Sequence, residues 1–178
     1  MLAEAVNHTL DIWIRSLDRY SFDQLLSKPS PNSWSIGQVY MHLLTNTDYF
    51  FEQVRICISA DNNADREMST EAKTMFFNNS FPDEMIEGPP ENLSTPQPES
   101  KEQLLRSFLA LKEELNRIAS LTTENQFKGK TRHPGLNYFN ALEWLQFADM
   151  HLRHHLRQKK RIDIFLRLDK SHNPNSPT

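Results

Sequence analysis

Apolar positions recur at spacings of three and four along four long stretches of the chain, with no sustained two-residue alternation between them. That period belongs to helices with one buried face. The first stretch, about Leu2 to Leu26, lays Val6, Leu10, Trp13, Ile14, Leu17 and Tyr20 on one stripe. The second opens at Ser35, where "SIGQ" reads as a capping box that satisfies the backbone donors of both Ser35 and Gln38. Ile36, Val39, Leu43, Phe50, Val54 and Cys57 then form its buried face. "SKEQ" at Ser100 is a second such box and starts a helix carrying Leu104, Leu105, Phe108, Leu111, Leu115 and Ile118, which stops near Leu121. In "NALE", Asn140 caps and Glu143 reaches back. The last helix runs from there to about Arg167, with Trp144, Ala148, Leu152, Ile162 and Leu166 on one arc.

The pattern fails from Asp61 to Glu99, which is polar and then proline-rich, and reads as one long connection with a short helix around Thr70 to Phe77. In a helical bundle, a loop of that length implies a crossover that lets consecutive helices run parallel. The 10 prolines gather between and after the helices, and only 4 glycines occur. The expected fold is therefore all-α, a four-helix bundle with a long connection between helices 2 and 3. Residues 1–168 should form one domain, and the tail "KSHNPNSPT" should be disordered over 169–178.

Composition agrees with one globular domain: 178 residues, 38% hydrophobic and 24% charged. A net charge of -3 supplies no field that would draw the chain to nucleic acid or to a membrane. Cys57 is the sole cysteine, so no internal disulfide can form, and a reducing compartment is the simpler assumption. No apolar run approaches the ~20 residues of a membrane span, and the N-terminus carries acids where a signal peptide needs an apolar run. A cytoplasmic, soluble protein is expected. No Ser/His/Asp or Cys/His arrangement is legible, nor a glycine-rich phosphate loop. Arg153, Arg157, Lys159, Lys160, Arg161, Arg167 and Lys170 outweigh Asp163 and Asp169 near the end of the last helix. Such a run is read as a solvated face suited to a helix C-terminus, without a nucleic-acid partner.

The chemistry lies in "HLRHH". A helix advances about 100° per residue, so His151 and His155 stand about 40° apart, one above the other, on the core-facing arc. His154 falls toward the helix edge. Two imidazoles facing the core need partners, because an unbonded buried polar ring costs about 1 to 3 kcal/mol. A divalent metal such as zinc, nickel, copper or iron would satisfy both, with a third ligand from another helix. His42, on a border stripe of the second helix with Asn46, Tyr49 and Gln53, is the best candidate. The same spacing also serves histidines that hydrogen-bond to protein or water, and both readings stand at this point. His8 and His172 are expected in solvent, and His133 in "RHPG" is expected to bond locally in a loop.

"PNSWSIGQVYMHLL", "STPQPESKEQLL" and "HPGLNYFNALEWLQFADMHLRHHLRQKKRI" together resemble the DinB-like superfamily of metal-binding four-helix bundles. The resemblance covers nearly all of the chain from Asn32 to Ile162, in order. It implies a metal triad of one histidine on the second helix and two on the fourth, which maps onto His42, His151 and His155. It further implies a divalent ion (Zn, Ni or Fe) in an open site and leans toward a homodimer. Several members are thiol-dependent transferases using low-molecular-weight thiols, and others resemble hydrolases. The function expected is a metal-dependent thiol S-transferase acting on a small-molecule substrate. A metal-dependent hydrolase or a non-catalytic metal-binding bundle is the alternative. Gln158 would orient a ligand or water, and Arg157 or Lys159 would meet a substrate carboxylate.

Overall fold

The computed structural model describes residues 2–82, 94–122 and 127–168. Among them are six helices, α1 (Leu2–Leu17), α2 (Phe22–Leu26), α3 (Ile36–Ser59), α4 (Thr70–Asn78), α5 (Lys101–Leu121) and α6 (Ala141–Phe165), and two strands, β1 (Lys130–His133) and β2 (Asn137–Asn140). The four long helices form the bundle. α1 and α3 each pack on both α5 and α6, so they occupy opposite corners.

Helix directions follow from paired contacts. Thr9 and Trp13 of α1, and Tyr20 just beyond its end, bond Asp149, Leu152 and Asp163 in rising order, so α1 and α6 are parallel. His42 faces His151 and Cys57 faces Phe139, so α3 opposes α6. Lys101 reaches Tyr20 and Lys112 reaches Asp11, so α5 opposes α1. It follows that α3 and α5, consecutive in the bundle, are parallel, as the long connection implied. The returning chain is tied to the start of α3. Gln38 donates to the Thr95 carbonyl at 2.7 Å, and Gln97 accepts from the Ser35 hydroxyl while donating to the Leu26 carbonyl.

The apolar stripes close on one core around Trp13, Tyr40, Phe51, Phe108 and Trp144. Leu105 is the exception. It sits about 100° around the helix from Leu104 and is 37% exposed.

Four expectations about elements need correction. The first stretch is not one helix to Leu26. It breaks after Leu17 because Ser21 and Gln24 form a capping box of their own and start α2. At Ser100 the cap is real, but Gln103 accepts from the N–H of Glu99 and not from that of Ser100. The last helix ends at Phe165, before Arg167, which adopts a left-handed φ of 59°. Strands also exist: β1 and β2 pair antiparallel, Thr131 opposite Phe139 and His133 opposite Asn137. Thr131 accepts from the Trp144 indole N–H at 2.7 Å, which ties the hairpin to the start of α6. At Gly129 a Cβ would lie 2.0 Å from the Ala60 carbonyl oxygen and 2.4 Å from that of Cys57, so only glycine lets β1 enter against the end of α3. The predicted tail at 169–178 and residues 83–93 of the long connection lie outside the described residues. Among the described residues no helix is long and apolar enough to cross a membrane.

Candidate metal centre

The antiparallel contact of α3 and α6 brings His42, His151 and His155 together. Ser35 fixes where α3 begins, which sets His42 two turns in, facing the middle of α6. One ring nitrogen from each residue falls within 4.8 Å of the others. His42 Nε2 and His151 Nε2 are 3.2 Å apart. Two imidazole nitrogens on one tetrahedral zinc, each bonded at ~2.0–2.1 Å, would stand about 3.3 Å apart. The ring of His155 lies 4.8 Å from that of His42 and 4.7 Å from that of His151, centroid to centroid.

The atoms behind the rings differ. His155 Nδ1 donates to Gln158 Oε1 at 2.8 Å, which leaves a lone pair on its Nε2. Asn46 Nδ2 stands 3.1 Å from His42 Nδ1. His151 Nδ1 is buried and has no hydrogen-bond partner among the described residues. The walls are aromatic: Trp34 packs 4.9 Å from the His42 ring, with Phe50 at 5.4 Å and Phe81 at 6.2 Å from that of His151.

This enclosure keeps the rings neutral. Burial alone pushes His42 down to about 4. Burial, followed by the nearby His42 ring, takes His155 to about 3, against the partial support of Gln158. His151 lies well below its ordinary value, through burial first and then the rings of His155, His42, His154 and His133. Neutral imidazoles are the form that binds a metal.

The other candidates fall elsewhere. His154 stands outside the set, with its ring 5.2 Å from Phe81. His133 makes the local bond expected of it, accepting from the Gly135 N–H at 3.2 Å, but it ends β1 and packs 4.9 Å from Phe147. Burial lowers it to about 4. His8 is exposed, and His172 lies outside the described residues. Cys57 is buried against the Phe139 carbonyl, and burial raises its thiol.

The solvated basic face holds at Lys160, Arg161 and Arg167, which are exposed, and needs correction at Lys159. Lys159 is buried, donates to Asp163 at 2.6 Å and lies over the Tyr20 ring, so it is not placed to meet a substrate carboxylate. Arg153 pairs with Asp149, and Arg157 donates to the carbonyls of Phe81 and Pro82. Gln158 accepts from His155 Nδ1 through its amide oxygen, which positions that ring. Sequence reasoning placed Asn46 beside His42 without giving it a task. It missed the aromatic walls, because Trp34 and Phe50 each lie eight residues from His42 and Phe81 comes from the long connection.

Among models of protein families, that of the DinB superfamily matches residues 5–158 of the chain. The chain belongs to the DinB superfamily. All three clustered histidines fall inside the span by which this DinB chain is matched. Its fold is also similar to that of YfiT from Bacillus subtilis, described as a probable metal-dependent hydrolase with an unusual four-helix bundle topology. The TM-score is 0.61 at 15% identity, over 93% of this chain and 85% of that one, and likeness at that identity concerns the fold. A comparison with curated proteins finds no match.

Proposed function

We propose that this DinB-superfamily protein is a metal-dependent enzyme of small molecules, most directly a thiol S-transferase, with His42, His151 and His155 holding one divalent ion. One observation carries the proposal. Three imidazoles kept neutral by burial converge within 4.8 Å, with no carboxylate in the set. The donor set fits zinc, nickel or iron alike, and the 3.2 Å between two of its nitrogens matches the bite of one ion.

An ion with three protein ligands keeps an open position and, as a Lewis acid, lowers the pKa of a thiol bound there toward neutrality. The chain supplies the rest. Gln158 holds the His155 ring so that its Nε2 lone pair faces inward. Trp34, Phe50 and Phe81 exclude water, which strengthens electrostatic interactions inside the site. No Asp or Glu among the described residues joins the cluster as a general base. A thiol bound to the ion would need none to ionise.

A metal-dependent hydrolase is the second reading, and the fold likeness to YfiT supports it. One assay separates them. Zinc- or nickel-loaded protein is given an alkylating electrophile or an activated ester, each with and without a low-molecular-weight thiol. Consumption of the electrophile that requires thiol and disappears in His151→Ala is the expected result. Ester hydrolysis without thiol would transfer the assignment to the hydrolase. Inertness toward both, with metal bound, would leave a binding protein.

A further inference from the structure

We propose that Asn46 is a positioning residue that sets the tautomer of His42. Loading of the ion then moves the His42 ring proton from Nε2 to Nδ1 as the Asn46 amide turns over. The part concerning the ion rests on the metal reading above; the part concerning the metal-free protein does not.

The assignment begins at the backbone. Asn46 Nδ2 lies 2.9 Å from the His42 carbonyl oxygen. A carbonyl only accepts, so this side-chain atom must be the amide nitrogen, and the orientation of the Asn46 amide is settled by its surroundings. The same nitrogen lies 3.1 Å from His42 Nδ1. Its second N–H donates there, so Nδ1 is an acceptor and the neutral ring carries its proton on Nε2. That Nε2 faces His151 Nε2 at 3.2 Å, so His42 donates and His151 accepts. The His151 proton is then on Nδ1, the buried atom without a hydrogen-bond partner among the described residues. Each step forces the next, and the chain of assignments ends at an orphaned N–H.

The two amides that back the site therefore act in opposite senses. Gln158 presents an oxygen and leaves His155 Nε2 bare, ready to ligate. Asn46 presents a nitrogen and keeps a proton on His42 Nε2, the atom that faces the other rings. For His42 to ligate through Nε2, that proton must leave and Nδ1 must gain one. The ring is neutral before and after, so no net proton is released. The new Nδ1–H would meet the Asn46 N–H donor to donor. The side chain must then turn to offer Oδ1, giving up its bond to the His42 carbonyl.

The test reads the proton directly. Long-range imidazole 15N–1H NMR is recorded at neutral pH on metal-free and zinc-loaded protein, with His42 assigned by its loss in His42→Gln. The expected result is His42 protonated on Nε2 without metal and on Nδ1 with zinc. In Asn46→Asp, whose carboxylate can only accept, His42 should carry its proton on Nδ1 even without metal. Zinc should then bind about tenfold tighter or more. A merely structural role for Asn46 would change stability and leave the tautomer alone. Metal-free wild type already protonated on Nδ1, or Asn46→Asp still protonated on Nε2, would overturn the proposal. Wild type that takes up no zinc would overturn the metal reading and the proton movement together, while the metal-free spectra would still decide what Asn46 does.

Discussion

Four imidazoles, one buried and three half-buried, make the stability of the metal-free protein depend on pH. His42 and His133 are lowered to about 4 and His155 to about 3, with His151 well below its ordinary 6.5. Below about 6.5 the unfolded chain takes up protons that the folded chain refuses, so stability is full above that pH and lost as pH falls toward 4. Each histidine contributes up to ~1.4 kcal/mol per pH unit in that window. The urea midpoint of metal-free protein should fall between pH 7 and pH 5, less steeply in His133→Gln. A flat midpoint would show that the rings are solvated. Behind the site, Gln158→Leu removes the acceptor for His155 Nδ1 and should weaken zinc binding about 10- to 100-fold with the helical circular-dichroism spectrum unchanged. Helical period alone singled out His42, His151 and His155, because a wheel tells which face a residue occupies. It could not show that Asn46 and Gln158 oppose each other, since that depends on which amide atom a rotamer presents. Nor could it draw Lys159 inward, because the partners responsible are Asp163 on the same helix and Tyr20 from the link between α1 and α2.

The elements that sequence patterning predicted well are the ones whose ends carry their own chemistry. Ser35 with Gln38 and Asn140 with Glu143 both form the reciprocal caps their spacing implied, and these place His42 and the α6 histidines at the same height of the bundle. Ser21 with Gln24 obeys the same rule, yet the apolar stripe running on through Tyr20 concealed the break. Ser21→Ala should cost about 1 kcal/mol in chemical denaturation. The hairpin was not legible for a different reason. Two strands of 4 residues each offer too short an alternation to read, and Pro134 between them argues for a loop. Its anchor is steric. Gly129→Ala places a methyl against the Ala60 and Cys57 carbonyls and should destabilise by about 1–3 kcal/mol, with urea unfolding as the measure. An unchanged midpoint would mean that the hairpin is not pressed against α3.

For the molecule as a whole, the parallel pair of α3 and α5 forces the chain through the long connection and leaves α6 to close the bundle antiparallel to α3. The histidines bridge that last contact, so an ion held there would tie the final helix to the second long one. Binding to the folded state alone would stabilise it by about 2.7 kcal/mol at a metal concentration one hundredfold above Kd. Thermal unfolding should shift upward with zinc in wild type and not in His151→Ala. The central claim is tested most directly by the metal content of tag-free protein, measured by elemental mass spectrometry on wild type beside His151→Ala. Near-stoichiometric zinc, nickel or iron in wild type, lost in the variant, is the predicted result. Wild type that is metal-free and takes up neither added zinc nor added nickel would contradict it, and the three histidines would then be structural members of a helical bundle.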